Sequence, residues 1–449
     1  MIKKLVLCSL LSLAALSVTA QRFYSVDALV DSALNNNLAT RAARHDLAAA
    51  SEQRKEAFTK YFPSISASGG WFNANRGMVN MKVNPAEVIP EALIPTLQQA
   101  LPSEALSALG APITFSAMKN GVIGGVTAMQ PVFAGGQIVN GNRLASLGEQ
   151  VGELKLEVRE NQVILTTEQY YWQLQAMQEK LRTLAAVETL LERLNSDVTA
   201  AVSAGVALRN DLLQVQLRQN EVLSNKLQLC NGIALLKMVL AQYCGLSDTA
   251  FVCATALPDV IDLPAKWNHS AALANTPEYR LLEKNVQASE LQRRLEVGKH
   301  LPTVAVGAGF FYHNLLDNDK PYAMLMASVS IPISDWWGGS HAIKRKKIEL
   351  QKANEQLIDN SQLLEIRMQQ TWDELYVAYQ QVDIARQSIA QADENLRISR
   401  DCYRAGTVTM SDLLQAQLLQ QQAHDRLADA KADYRLKLIA YNQATGHRR

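Results

Sequence analysis

The sequence offers almost nothing on which an enzyme could be built. Its seven histidines are scattered, and it has no His-Glu-x-x-His, no Gly-x-Ser-x-Gly, no cysteine and histidine cluster with metal spacing and no phosphate loop. No catalytic residue, cofactor site or metal site is therefore read from it. Excess charge of one sign is also missing, with 44 basic residues against 43 acidic, so nucleic acid is not an expected partner. After the first 20 residues no run of 18 uninterrupted apolar residues occurs, so no transmembrane helix is expected. Aromatics make up only 6% of a chain that is 48% hydrophobic, and the Ala, Leu and Gln that fill it suit long packed helices. Cysteine is sparse, and of the four after the leader only Cys244 and Cys253 are close in sequence. They fit either an exported disulfide or two small buried hydrophobes.

What is present begins with an address. Lys3-Lys4, the apolar run Leu5 to Leu16 and the small-residue site Val18-Thr19-Ala20 form a secretory signal peptide over residues 1–20. Beyond it the chain repeats itself. Ala204-Gly205 followed by Asp211-Leu212-Leu213-Gln214 returns 201 residues later as Ala405-Gly406 followed by Asp412-Leu413-Leu414-Gln415. Gly245 and Gly446 keep that offset, and Tyr61-Phe62-Pro63 returns as His300-Leu301-Pro302 at an offset of 239. A period this long means that one large unit was duplicated and fused. The expected repeats are residues 21–246 and 247–449.

Each repeat should hold a very long helix and a shorter returning one. Residues 137–202 contain no proline, with glycines only near the start, and 340–403 contain neither glycine nor proline. Each span is about 100 Å of helix at 1.5 Å per residue, too long for a compact domain. In the second, Met368, Leu375, Val382, Ile389, Leu396 and Tyr403 recur every seven residues, with Thr371, Ala378, Ala385, Ala392 and Ser399 three positions on. That is a coiled-coil seam. Ala-Gly turns end both long helices, and Asn210 and Ser411 are the expected N-caps of returning helices at 210–243 and 411–444, with Asp211 and Asp412 at N1. Short helices at 38–60 and 277–299 would stack on the returning ones to complete a hairpin column.

Four segments of about 11 residues read as strands, at 62–74, 122–133, 302–313 and 323–334. The first, third and fourth alternate clearly; the facing of 122–133 is ambiguous. Aromatics gather at both ends: Trp71, Phe310, Phe311 and Tyr312 at one level, Trp336 and Trp337 at the other. Two such belts match the girdles of outer-membrane barrels; the alternative is a soluble sheet with aromatics at its ends. Four strands cannot close a barrel, and an open edge in lipid leaves backbone groups unpaired, so several copies must pool their strands. Pro131 with Gly135-Gly136, and Pro332 with Gly338-Gly339, are the expected strand-to-helix joints. Residues 75–121, with five prolines, form an external loop.

In this order and duplicated, these motifs resemble the TolC-like outer membrane efflux family, over essentially the whole mature chain. The resemblance implies a mainly α fold with a small membrane β part: two tandem repeats of strand-helix hairpins, assembled as a homotrimer with a twelve-stranded β-barrel on a long α-helical (coiled-coil) barrel. It implies a passive exit duct in the outer membrane that extends into the periplasm and serves a tripartite efflux or type I secretion system. Its partners would be a periplasmic adaptor protein and an inner-membrane transporter. By the same resemblance Asp211, Asp412, Gln214, Gln415 and Tyr403 line the channel aperture, and Ala204, Gly205, Val206, Ala405, Gly406 and Thr407 meet the adaptor. The sequence departs from the family at Gln415, where a second carboxylate is expected, and at Val408, where an arginine tether is expected; Arg404 or Arg209 are candidate substitutes. The alternative is a periplasmic coiled-coil adaptor, which would have one hairpin and no aromatic-ended strands.

Overall fold

The computed structural model describes residues 22–102, 105, 112–314 and 321–447. The leader at 1–20 and most of the short loop around 315–321 lie outside them. In chain order the main elements are β1 (Arg22–Tyr24), α1 (Val26–Asn36), α2 (Leu38–Thr59), β2 (Ser64–Asn73), β3 (Val79–Val83), β4 (Ile113–Ala117), β5 (Asn120–Ala134), α3 (Gln137–Ser203), α4 (Arg209–Cys244), β6 (Phe251–Cys253), α5 (Pro277–Lys299), β7 (Thr303–His313), β8 (Tyr322–Ser330), α6 (Asp335–Arg404) and α7 (Met410–Ala444). They fall into two compact units, one of residues 1–51, 147–287 and 351–449 and one of residues 52–146 and 288–350.

The first unit is helical. Helices α3 and α6 run 67 and 70 residues without a break, as the absence of proline requires. The seven-residue seam of α6 is where its core lies: Met368, Leu375, Val382 and Leu396 are buried, and so are Ala378, Ala385 and Ala392 beside them. Small residues on the second row let the neighbouring backbone approach. A larger cluster forms around Tyr171, Trp172 and Leu174 of α3, Leu240 and Cys244 of α4, and Leu29 of α1. Each buried side chain of this size contributes roughly 1.5–3 kcal/mol. Two connecting segments close over this cluster. Strand β1 pairs in parallel with β6, and the Tyr171 hydroxyl accepts from the Thr255 amide at 2.8 Å. Cys244 and Cys253 are both unpaired and buried here, and desolvation pushes each thiol up to about 12.

The second unit holds an antiparallel sheet ordered β2-β5-β7-β8, so β2 and β8 are its edges. Its register settles the facing of the ambiguous strand. Ile65 pairs with Ala128, Ala67 with Val126 and Trp71 with Val122; Val126 pairs in turn with Phe310, and Ala308 with Leu325. One face is therefore mainly apolar, with Gln130 toward one end and the Asn73–Asn120 pair at the other. The other carries Ser64, Ser66, Ser68, Thr127, Gly307, Gly309 and Ser328, because successive residues alternate sides. Residues 75–121 are not structureless, since β3 and β4 within them form an antiparallel pair.

The second joint departs from expectation. Strand β8 ends at Ser330 and α6 begins at Asp335, so Gly338 and Gly339 lie inside the helix and not at a bend. Pro332 has no amide to continue the ladder, and Asp335 places a carboxylate where a helix start favours one. The turn is made by 331–334, with the Asp335 amide donating to the Pro332 carbonyl at 3.2 Å. The first joint is as expected: Gly135 and Gly136 adopt φ of 58° and 74°, directly before α3, and Pro131 adjoins a bulge in β5.

Candidate functional site

The two helix tips are built alike. After α3 the Gly205 amide donates to Val202 and that of Val206 to Ala201; after α6 the Gly406 amide donates to Tyr403 and that of Thr407 to Cys402. Both glycines have φ of 74°. This is the Schellman ending, in which a left-handed residue without a Cβ lets two orphan carbonyls find donors. Ala204, Gly205, Val206, Ala405, Gly406 and Thr407 are all exposed.

The caps are two residues earlier than the sequence suggested. Thr409, not Ser411, caps α7, and Leu208, not Asn210, occupies the corresponding place before α4. Asp412 and Asp211 are therefore N3 residues, not N1. The reason is a reciprocal box. The Asp412 amide donates to the Thr409 hydroxyl at 3.2 Å, while the Asp412 carboxylate accepts from the Thr409 amide at 3.0 Å and its hydroxyl at 2.6 Å. Those bonds hold the Asp412 carboxyl below the usual carboxylate range. In repeat one only the return half exists, with the Leu208 amide donating to Asp211 at 3.3 Å.

Asp211 has a different neighbour. Tyr403, half-buried at the end of α6, has its phenol pushed up by burial and then by the charge of Asp211. The charge of a repeat-one carboxylate is thus felt by a phenol of repeat two in the same protomer. Around them Val198, Val215, Leu396, Met410, Leu413 and Ala416 form a cluster drawn from all four helices. Gln415 is exposed; Gln214 is partly buried, and its side-chain oxygen has no partner among the described residues.

Neither Arg404 nor Arg209 forms an ion pair among the described residues. The nearly buried cation that joins the repeats close to the tips is Arg218 on α4, which sequence reasoning missed; the more exposed Lys180 of α3 also crosses, pairing with Asp429 of α7 at 2.7 Å. The Arg218 side chain is 10% exposed. It donates to Gln417 Oε1 at 3.1 Å and Gln421 Oε1 at 2.9 Å on α7, and to Glu221 at 2.9 Å on its own helix. One clue was available. At the offset of 201, Arg218 falls opposite Leu419, a break in an otherwise matching stretch.

In the second unit, Trp71, Phe310, Tyr312, Trp336 and Trp337 are exposed, and Trp337 is the most so at 78%. Phe311 is partly covered and stacks on Tyr322 with centroids 5.7 Å apart. Gly135 is held close against Gly298, whose carbonyl oxygen would lie 2.2 Å from an added Cβ. Gly339 fits against the His300 ring. No group of side chains suited to a metal occurs among the described residues.

Residues 268–447 match the family model of outer membrane efflux proteins. No curated protein sequence matches the chain. Among solved structures, the Campylobacter jejuni CmeC outer membrane channel is similar at 15% identity and a TM-score of 0.74, over 94% of this chain and 85% of that one. The open state of the Neisseria gonorrhoeae MtrE outer membrane channel is similar at 14% identity and a TM-score of 0.73, over 94% and 88%. The Vibrio cholerae outer membrane protein VceC is similar at 14% and 0.71, over 94% and 96%. Likeness at this identity is likeness of fold. Residues 268–447 are thus similar to the outer membrane efflux proteins, and over 94% of the chain the fold is that of outer-membrane channels.

Proposed function

We propose that the protein is the outer-membrane exit duct of a tripartite efflux or type I secretion system: a passive homotrimeric channel, gated at its helix tips, that catalyses no reaction. The single observation that carries this reading is the sheet. It has four strands, two free edges and one mainly apolar face, and in lipid its edges would need other copies to complete them. Three copies give the twelve strands expected from the family. Trp71, Phe310, Phe311 and Tyr312 would then lie at one boundary of the lipid, where aromatic rings are favoured, and Trp336 and Trp337 at the level of the other.

The tips are the proposed aperture. Three copies of Asp211 and Asp412 would ring a narrow mouth with Gln214, Gln415 and Tyr403, and a carboxylate ring favours cations. With Gln415 in place of a second acid the mouth should be only moderately selective. The exposed Ala204–Val206 and Ala405–Thr407 turns are the proposed seat of a periplasmic adaptor, itself coupled to an inner-membrane transporter. Small residues there let another hairpin approach the backbone. A periplasmic adaptor remains the second reading; two hairpins and an aromatic-ended sheet count against it.

Planar-bilayer recording tests the proposal. The purified protein should conduct, with a preference for cations that Asp412→Asn reduces. Absence of conductance would reject the duct, and an unchanged ion preference would remove Asp412 from the pore lining.

A further inference from the structure

Resting on the oligomeric duct, we propose that the copies are fastened at the strand-to-helix joint by an aromatic and ionic clasp. Asp335, Trp336 and Trp337 of one copy would pack against Phe58, Tyr61 and Phe62 of the next, with Asp335 paired to Lys60.

The argument begins with strand direction. All three pairings in the sheet are antiparallel, so the direction alternates from β2 through β5 and β7 to β8. The end of β8 and the start of β2 therefore lie at the same end of the sheet. When the free edge of β8 meets the free edge of β2 in the next copy, the residues after Ser330 come beside those before Ser64. Contacts of this head-to-tail kind close a ring.

The chain already contains the template for that junction. Repeat one meets repeat two where β5 pairs with β7, and there the joint after β5 rests on the end of α5. Gly135 packs on Gly298, and the Gln137 side-chain amide donates to the Gly298 carbonyl at 3.3 Å. Junctions alternate around a ring of repeats, so the joint after β8 should rest likewise on the end of α2 in the next copy. At the offset of 239, Gly298 corresponds to Thr59, and His300 to Tyr61.

The two surfaces are not glycine but aromatic, and both are exposed in the single chain. Phe58 makes edge contacts with Tyr61 and Phe62, each with centroids 5.6 Å apart. Trp336 is 52% exposed and oriented by its indole N–H, which donates to the His300 carbonyl at 3.0 Å, while Trp337 projects freely. Aromatic groups brought within about 4.5–7 Å of one another attract beyond their buried area. Charge is complementary too. Lys60 lies within the first patch and Asp335 beside the second, and neither forms an ion pair among the described residues.

The test is cross-linking in the full-length protein, with Cys230→Ser and Cys402→Ser removing the background thiols. On oxidation Lys60→Cys with Asp335→Cys should give disulfide-linked species of two and three chains in denaturing gels, several-fold above either single variant. Both positions are exposed, so the variants should fold. In parallel, Lys60→Asp and Asp335→Lys should each lower the temperature at which the oligomer dissociates, and their combination should restore it. Fluorescence of Trp337 should be insensitive to brominated lipid. Protein that sediments as a single chain in detergent overturns the duct and the clasp together. An oligomer without linkage between positions 60 and 335, or with Trp337 strongly quenched by lipid bromine, overturns the clasp alone.

Discussion

The two tips share a plan and differ in their finish. Both long helices end on a left-handed glycine with the same pair of amide bonds, and both returning helices carry an aspartate at N3. In repeat two that aspartate is consumed by Thr409, which bonds it with both amide and hydroxyl. In repeat one the partner is Leu208, with an amide alone, and the carboxylate is left near Tyr403. The difference shows how a duplicated unit divides its labour. One tip bonds its acid fully within the helix cap, and the other holds its acid by one amide, with its charge felt by Tyr403 of the neighbouring repeat. Further along, the same divergence places Arg218 opposite Leu419, so that α4 sends a cation across to α7 and α7 has no cation at the matching position to return.

That asymmetry can be broken most forcefully at Arg218. Arg218→Ala strands two nearly buried glutamine acceptors, and unpaired buried groups cost about 1–3 kcal/mol each. Chemical unfolding should show a loss of about 2–6 kcal/mol from the two acceptors together, whereas Leu419→Ala, at a position 43% exposed, should lose well under half as much. Equal losses would mean that Arg218 joins nothing of consequence.

Next in size are the glycines. Gly205→Ala and Gly406→Ala force a Cβ into the left-handed region, at about 1 kcal/mol each. The two should cost the same, because nothing crowds either position. The caps should cost unequally. Thr409→Val removes a bonded hydroxyl and should destabilise by about 1 kcal/mol, while Leu208→Thr completes the missing box and should stabilise by several tenths.

The smallest effect is one of pH. The Asp412 carboxyl is depressed by Thr409, so its stabilising contribution is complete above the unfolded value of 3.8 and is lost as pH falls through the lower folded value. Acid titration followed by helical circular dichroism should show tip fraying only below about pH 4, and Asp412→Asn should remove that step. An Asp211→Asn variant should leave it in place.

Much of this architecture was legible in the chain. Long stretches without proline gave α3 within one residue and the returning helices likewise, because nothing local competes with a helix there. Alternation gave β7 within one residue. Local chemistry with two solutions was not legible. Ser411 and Thr409 can both cap a helix, and only the reach of Asp412 decides between them. Paired glycines suit a bend, but Pro332 and Asp335 had already started α6 before Gly338. Arg218 reads as a surface charge until α7 is packed against it.

The most direct measurement is the mass of the detergent-extracted protein by light scattering with the detergent subtracted. The proposed trimer predicts the mass of three mature chains, each somewhat under the 49.5 kDa of the full sequence. A monodisperse single chain, stable in buffer without detergent, would contradict the account.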